Sequence, residues 1–203
     1  MIKVITGMRR SGKSYLLFNL FSDALKAEGV DEQHIIKVNL EDRRNKELRD
    51  PDKLLDYIDG RLLDDKMHYV LLDEVQLVNE FEDVLNSYLQ VKNADIYVTG
   101  SNARFLSKDI ITEFRGRGFE VRVHPLSFQE VCGARQNEPI EQLWVEYLTY
   151  GGLPQVITMA SDKERITYLK GLFKHTYLKD IKERHNIKLD GDLEELISTL
   201  ASN

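Results

Sequence analysis

The most regular feature of the chain is a series of short apolar, β-branched runs that alternate with longer amphipathic stretches. These runs predict five strands: Lys3–Thr6, Ile35–Leu40, Tyr69–Asp73, Asp95–Thr99 and Phe119–Val123. Strands that are apolar on both faces and separated by helix-length segments are typical of a parallel sheet covered by helices. The pattern therefore predicts an α/β fold.

The segments between the runs have the periodicity of amphipathic helices. We predict helices over Ser14–Glu28, Pro51–Asp65, Glu80–Lys92 and Ala103–Phe114. Asp50 and Pro51 suit the cap and the first turn of the second helix. After Pro125 no further strand is evident, and helical segments follow through to Leu200. We therefore predict a boundary near Leu126, with a helical part after the α/β part.

Composition and charge narrow the classes of function. The 203 residues suit one ordinary domain or a larger domain with a small one. A net charge of -6 argues against indiscriminate binding to nucleic acid or to an anionic membrane. No signal peptide and no apolar stretch of roughly twenty residues is found, so we expect a soluble, cytoplasmic protein without a membrane partner. The single cysteine, Cys132, excludes an intramolecular disulfide and a cysteine-rich metal site.

A phosphate-binding loop of the Walker A type directly follows the first predicted strand. The sequence G-M-R-R-S-G-K-S runs from Gly7 to Ser14 and leads into a predicted helix. Glycines at both ends let the backbone curl around phosphate oxygens, so that several N–H groups and the helix N-terminus face one anion. Lys13 would reach the β- and γ-phosphates, and Ser14 would hold Mg²⁺. The residues expected to contact the nucleotide are Gly7, Met8, Arg9, Arg10, Ser11, Gly12, Lys13, Ser14 and Tyr15.

Two adjacent carboxylates follow the third predicted strand. The sequence Y-V-L-L-D-E ends on Asp73 and Glu74, which places both at the carboxyl end of a buried strand, where ligands bind in open α/β sheets. Asp73 would complete the Mg²⁺ shell, and Glu74 would orient and deprotonate the attacking water. An acidic loop that merely ends a buried strand would have the same sequence. The Walker A loop favours the nucleotide site.

These motifs resemble a widespread group of prokaryotic AAA+-like ATPases. One predicted strand separates the Walker A loop from the carboxylate pair, and T-G-S-N, F-R-G-R, H-P-L-S-F and Y-G-G-L-P follow in the order that this group shows. The resemblance implies a five-stranded parallel sheet of order 5-1-4-3-2 followed by a helical lid. It implies an ATPase domain over residues 1–126, a lid over 127–188 and the start of a winged-helix domain over 189–203.

The resemblance also implies roles for residues outside the two main motifs. Asn102, ahead of Ser101, corresponds to the sensor that contacts the catalytic water, although a plain turn would use the same residues. Arg115 or Arg117 resembles an arginine finger acting on a neighbouring subunit of a homo-oligomer, and a pair of exposed arginines is the alternative. Pro154 resembles the element beside the nucleotide base, and a simple helix terminator is its alternative.

The expected activity is Mg²⁺-dependent hydrolysis of ATP to ADP and phosphate. Many members of the group carry a winged helix and a nuclease-like domain after the lid, so we expect this chain to be a fragment of a longer protein. A DNA or protein partner would then act through the missing C-terminal domain. Two alternatives remain at this point: an ATP-dependent switch with slow turnover, and a small-molecule kinase, for which no acceptor pocket is identified.

Overall fold

The computed structural model describes residues 1–100, 114, 117–174 and 199. Its centre is a five-stranded parallel sheet of order β2-β3-β4-β1-β5. The strands are β1 Ile2–Thr6, β2 Ile35–Asn39, β3 His68–Asp73, β4 Ala94–Thr99 and β5 Gly118–Arg122. All four neighbouring pairs are parallel. The α/β class and the predicted strand order are therefore confirmed.

Helices connect the strands and continue after the last one. The first helix, α1, consists of Lys13–Tyr15, a π-helical segment Leu16–Phe21 and Ser22–Ala27. The others are α2 Pro51–Asp59, α3 Phe81–Ser87, α4 Phe128–Ala134, α5 Ile140–Tyr150, α6 Pro154–Ile157 and α7 Asp162–Leu172. Short 3₁₀ turns cover Glu32–His34, Arg43–Arg49, Val75–Leu77 and Tyr88–Gln90. None of the helices in the described ranges is long and apolar enough to cross a membrane.

Alternation along the strands builds an apolar layer on each face of the sheet. On one face, Val4, Val38 and Val98 pack with buried residues of α2 and α3, among them Leu54 and Phe81. On the other face, the buried strand residues pack against α1. They form a smaller cluster of Ile5, Ile35 and Leu71 with Leu17 and Leu25. Successive strand residues point to opposite faces, so nearly continuous apolar strands are required to fill both layers.

The second helix ends earlier than its apolar pattern predicts. The helix α2 stops at Asp59 rather than at Asp65, because Gly60 has a low helix propensity. Two hydrogen bonds of the 3₁₀ type follow. The Arg61 N–H donates to the Ile58 carbonyl at 2.9 Å, and the Leu62 N–H donates to the Asp59 carbonyl at 3.2 Å. Such three-residue bonds satisfy carbonyls at a helix end. Of the predicted helix Ala103–Phe114, all but Phe114 lies outside the described residues.

The chain forms two compact units, residues 1–157 and residues from 158 onward. The first unit contains the sheet and the helices α1 to α6, and the second begins with α7. Capping boxes start α4 and α7, where Ser127 pairs with Glu130 and Ser161 with Glu164. The predicted division at residue 126 and the predicted lid over 127–188 remain predictions.

Candidate functional site

The carboxyl ends of four strands meet along one side of the sheet, which we call the carboxyl edge. Ile5 of β1 is in register with Thr99 of β4, and Leu72 of β3 with Val98 of β4. Asn39 of β2 is in register with Asp73 of β3. The residues that follow these positions in the chain therefore emerge side by side, and they include the phosphate-binding loop and the carboxylate pair.

The phosphate-binding loop has three residues in unusual backbone conformations. Gly7, Arg10 and Gly12 have φ values of 144°, 68° and 99°. At Gly7 a Cβ atom would overlap the carbonyl oxygen of Val123, so only glycine fits there. Arg10 adopts the left-handed conformation with a full side chain, which stores strain in the loop. Strain of this kind is common at ligand-binding loops.

Lys13 lies inside the loop rather than on the surface. Only 5% of the residue is exposed, and its ammonium group donates to the carbonyls of Gly7 and Met8, each at 3.0 Å. Burial lowers the pKa of Lys13, whereas the charges of Glu74 and Asp73 oppose this shift. The Lys13 ammonium group is therefore held inside the loop by the loop's own carbonyl groups.

Thr99 joins the two carboxylate residues through one hydroxyl group. The fully buried Thr99 donates from Oγ1 to the Asp73 carboxylate, and the same oxygen accepts the Glu74 N–H at 3.3 Å. Glu74 itself is left-handed, with φ 56° and ψ 45°, and its carboxylate accepts a hydrogen bond from the Gln76 side chain. Sequence reasoning missed Thr99, because it assigned the polar role in T-G-S-N to Ser101 and Asn102.

The remaining residues of the loop divide into exposed and buried groups. Met8, Arg10, Ser14 and Tyr15 are exposed, Arg9 is half-buried, and Ser11 is buried. The Ser11 hydroxyl has no hydrogen-bond partner among the described residues. The loop thus offers an exposed hydroxyl at Ser14 and an unsatisfied one inside at Ser11.

The Y-G-G-L-P segment returns to the phosphate-binding loop. The Leu126 N–H donates to the Gly152 carbonyl at 2.7 Å, and the Tyr147 hydroxyl donates to the Leu126 carbonyl at 3.1 Å. A Cβ atom at Gly152 would overlap that Leu126 carbonyl. Pro154 Cγ lies 3.6 Å from where a Cβ atom at Gly12 would stand. The structure therefore brings Pro154 against the loop, and its role beside the nucleotide base stays a prediction.

Of the two predicted arginine fingers and the sensor, only Arg117 is among the described residues. Asn102 and Arg115 lie outside the described residues. Arg117 is exposed and directly precedes β5, and its carbonyl accepts the Ile2 N–H at 3.0 Å. It therefore lies at the opposite side of the sheet, the amino edge, roughly one strand length of 15 Å from the loop.

A histidine cluster at the amino edge was also not predicted from the sequence. His34, Asp64 and His68 lie close enough for their ligand atoms to face one ion. However, His68 already donates from Nδ1 to the Lys66 carbonyl at 2.8 Å and accepts the Leu63 N–H at Nε2 at 3.1 Å. His34 Nε2 lies 3.1 Å from both Asp64 oxygens. Both nitrogens of His68 are thus satisfied by the protein, and the cluster is a hydrogen-bonded one.

The donor groups at the carboxyl edge suit a hard divalent cation. Ser14 supplies a hydroxyl oxygen and Asp73 a carboxylate, the ligands that Mg²⁺ prefers over nitrogen or sulfur. Asp73 is 3% exposed, and only one of its oxygens takes the Thr99 hydroxyl in the hydrogen bond described above. The residues present therefore fit Mg²⁺ by their chemistry.

A family model for AAA domains matches residues 1–132, and the chain belongs to this family of AAA+-like P-loop ATPases. An uncharacterized protein of Haemophilus influenzae is 35% identical over 207 residues, which cover 100% of this chain and 51% of the relative. An uncharacterized protein of Methanocaldococcus jannaschii is 28% identical over 198 residues, covering 92% and 43%. The chain thus spans about half the length of these relatives.

A solved structure of similar fold is that of the Aeropyrum pernix ORC2 protein in its ADP form. It aligns with a TM-score of 0.50 at 15% identity, covering 77% of this chain and 54% of that one. At this identity the match shows the fold alone. Together with the family match, it establishes the P-loop ATPase architecture.

Proposed function

We propose that the chain binds ATP with Mg²⁺ at the carboxyl edge and hydrolyses it to ADP and phosphate. The observation that supports this most is the position of the buried Lys13, whose ammonium group lies inside the phosphate-binding loop at the same edge of the sheet as Asp73 and Glu74. Phosphoryl transfer to water needs a cation in the phosphate-binding loop and two carboxylates at the same site. One carboxylate serves the metal ion and the other serves the attacking water. The family membership supports the same reaction class.

The loop would hold the phosphates through its backbone amides and Lys13. In the structure, the Lys13 ammonium donates to the Gly7 and Met8 carbonyls. Phosphate oxygens are stronger acceptors for an ammonium group, so Lys13 would exchange these two bonds for bonds to the β- and γ-phosphates. Tyr15 and Pro154 would border the base and sugar, because Pro154 lies beside Gly12.

Ser14 and Asp73 would hold Mg²⁺, which supplies positive charge to the phosphate oxygens when bound. Glu74 would accept a proton from the water that attacks the γ-phosphorus, while the bond from that phosphorus to ADP breaks. Thr99 would keep the backbone of Glu74 and the carboxylate of Asp73 in a fixed relation. Asn102 would hydrogen-bond the attacking water.

Arg117 lies at the amino edge, and from there it is poorly placed to act on the nucleotide of its own chain. This supports a role in trans for Arg117, in which the nucleotide of a second copy of the chain receives the guanidinium, and the resemblance leaves Arg115 as the other candidate for that role. An arginine finger contributes about 10³- to 10⁵-fold to turnover. A homo-oligomer would therefore be the active form.

Phosphate release from ATP, measured across a range of protein concentrations, tests the proposal. We expect turnover per subunit to rise with concentration and Lys13→Ala to lose ATP binding. Glu74→Gln should bind ATP normally and turn over about 10²- to 10⁴-fold more slowly. Failure of the wild-type chain to bind ATP would refute the proposal.

A nucleotide-dependent switch with slow turnover is a second candidate. It is favoured by the expected need for an arginine in trans, because Arg117 lies at the amino edge, away from the nucleotide of its own chain. In that case ATP binds tightly, and phosphate release stays near zero at every protein concentration. Either activity would act on a DNA or protein partner. That partner would bind a domain that corresponds to the part of the relatives that this chain does not span.

A further inference from the structure

The 3₁₀ turn after Glu74 holds a side chain that contacts the Glu74 carboxylate directly. Gln76 donates from Nε2 to Glu74 Oε2. The turn itself is tied by Leu77 N–H to the Glu74 carbonyl and by Val78 N–H to the Val75 carbonyl, each at 3.0 Å. The base of the Gln76 side chain is therefore fixed relative to the Glu74 backbone.

The orientation of the Gln76 amide follows from charge. With the amide reversed, its carbonyl oxygen would face the Glu74 carboxylate, and two acceptors would repel each other. The N–H group therefore points to Glu74, and the carbonyl oxygen Oε1 points away. That oxygen is buried and has no hydrogen-bond partner among the described residues.

Because this oxygen has no donor among the described residues, packing alone does not account for a glutamine at position 76. A buried carbonyl without a donor destabilises the folded state, and methionine would fill a similar space without this penalty. What glutamine adds over methionine at this position is the N–H group on Glu74.

We propose that Gln76 is a positioning residue, which holds the Glu74 carboxylate in the orientation from which it acts on the attacking water. The inference rests on the proposed hydrolysis. A glutamate side chain has three rotatable bonds, and catalytic geometry tolerates only about 0.5 Å of displacement. The Thr99 hydroxyl fixes the backbone end of Glu74, and Gln76 fixes the carboxylate end.

The kinetic test compares Gln76→Met with a matched control, Gln90→Met. Gln90 is exposed in the turn Tyr88–Gln90, away from the carboxylate pair in sequence. We expect Gln76→Met to lower kcat about tenfold, with the Kd for ATP unchanged and the melting temperature unchanged or raised. The control should match the wild-type chain. An unchanged kcat, or a parallel loss of ATP affinity, would overturn the positioning role.

A second measurement is independent of turnover. The side-chain amide signals of Gln76 in a ¹⁵N–¹H spectrum are identified by their loss in Gln76→Met. We expect these signals to move in Glu74→Ala and to stay in place in Gln90→Met. Signals that do not respond to Glu74→Ala would show that the contact is not made. Absence of wild-type turnover would remove the proposed hydrolysis, and the amide signals would still decide whether Gln76 holds Glu74.

Discussion

The two edges of the sheet differ in how far their buried polar side chains are hydrogen-bonded. At the amino edge, the buried His68 uses both ring nitrogens in hydrogen bonds to the backbone. At the carboxyl edge, Ser11 and Gln76 keep buried polar atoms without partners among the described residues. Arg10 and Glu74 also have left-handed backbones there. Two left-handed residues and two unsatisfied polar atoms thus lie where a ligand is proposed to bind, whereas His68 at the opposite edge is fully hydrogen-bonded.

The largest expected effect tests whether the amino edge serves stability alone and has no part in ATP binding. Replacing His68 by alanine leaves a cavity and removes the partners of Leu63 N–H and the Lys66 carbonyl. We expect a loss of roughly 3 to 5 kcal/mol in the free energy of unfolding, measured with urea. His68→Gln, which keeps a donor and an acceptor, should recover part of this loss. ATP binding per folded molecule should not change, and a specific loss of binding would erase the contrast between the edges.

An intermediate effect is expected at Thr99, which belongs to the carboxyl edge. Thr99→Val keeps the shape but removes the hydroxyl shared by Asp73 and the Glu74 N–H. The free energy of unfolding should fall by about 1 to 3 kcal/mol. Turnover should fall by at least about tenfold, because the Asp73 carboxylate and the backbone of Glu74 are then no longer held in a fixed position relative to each other. Thr99→Ser is the control that keeps the hydroxyl, and equal behaviour of the two variants would show that the hydroxyl is unimportant.

The smallest expected effect is that of Arg10→Gly at the carboxyl edge. This change should stabilise the folded chain and weaken ATP binding. Arg10→Gly relieves the left-handed backbone at φ 68° and should raise the free energy of unfolding by about 1 kcal/mol. The same change removes a cation from the loop and should weaken ATP binding. Arg10→Ala is the matched variant, since it loses the charge but keeps the strain. A stability gain in Arg10→Ala as well would refute the role of strain.

Local patterns predicted the strands and the phosphate-binding loop, because both depend on neighbouring residues. The short apolar runs predicted the five strands to within one residue, and the Walker A spacing placed Lys13 in its loop. Thr99 could not be assigned in this way, because its role depends on the alignment of β3 with β4. A signal was available in that alignment, since a hydroxyl at the end of one strand should face a carboxylate at the end of its neighbour.

Other features depend on long-range structure or on small energy differences. His34 and His68 come together only because β2 and β3 are neighbours in the sheet, with Ile35 in register with Tyr69. The π-helical segment Leu16–Phe21 has no marker in the sequence that we can identify. By contrast, the position of Arg117 at the amino edge follows from its place before a parallel strand.

The position of β1 between β4 and β5 has a consequence for biosynthesis. β1 is made before the other four strands, yet it pairs only with β4 and β5, which are made much later. At translation rates of about 5 to 20 residues per second, β1 waits on the order of ten seconds for β5. During this interval the nascent chain carries an unpaired apolar strand, whose edges are open to other chains. Ribosome-associated chaperones would be expected to shield it until the sheet closes around it.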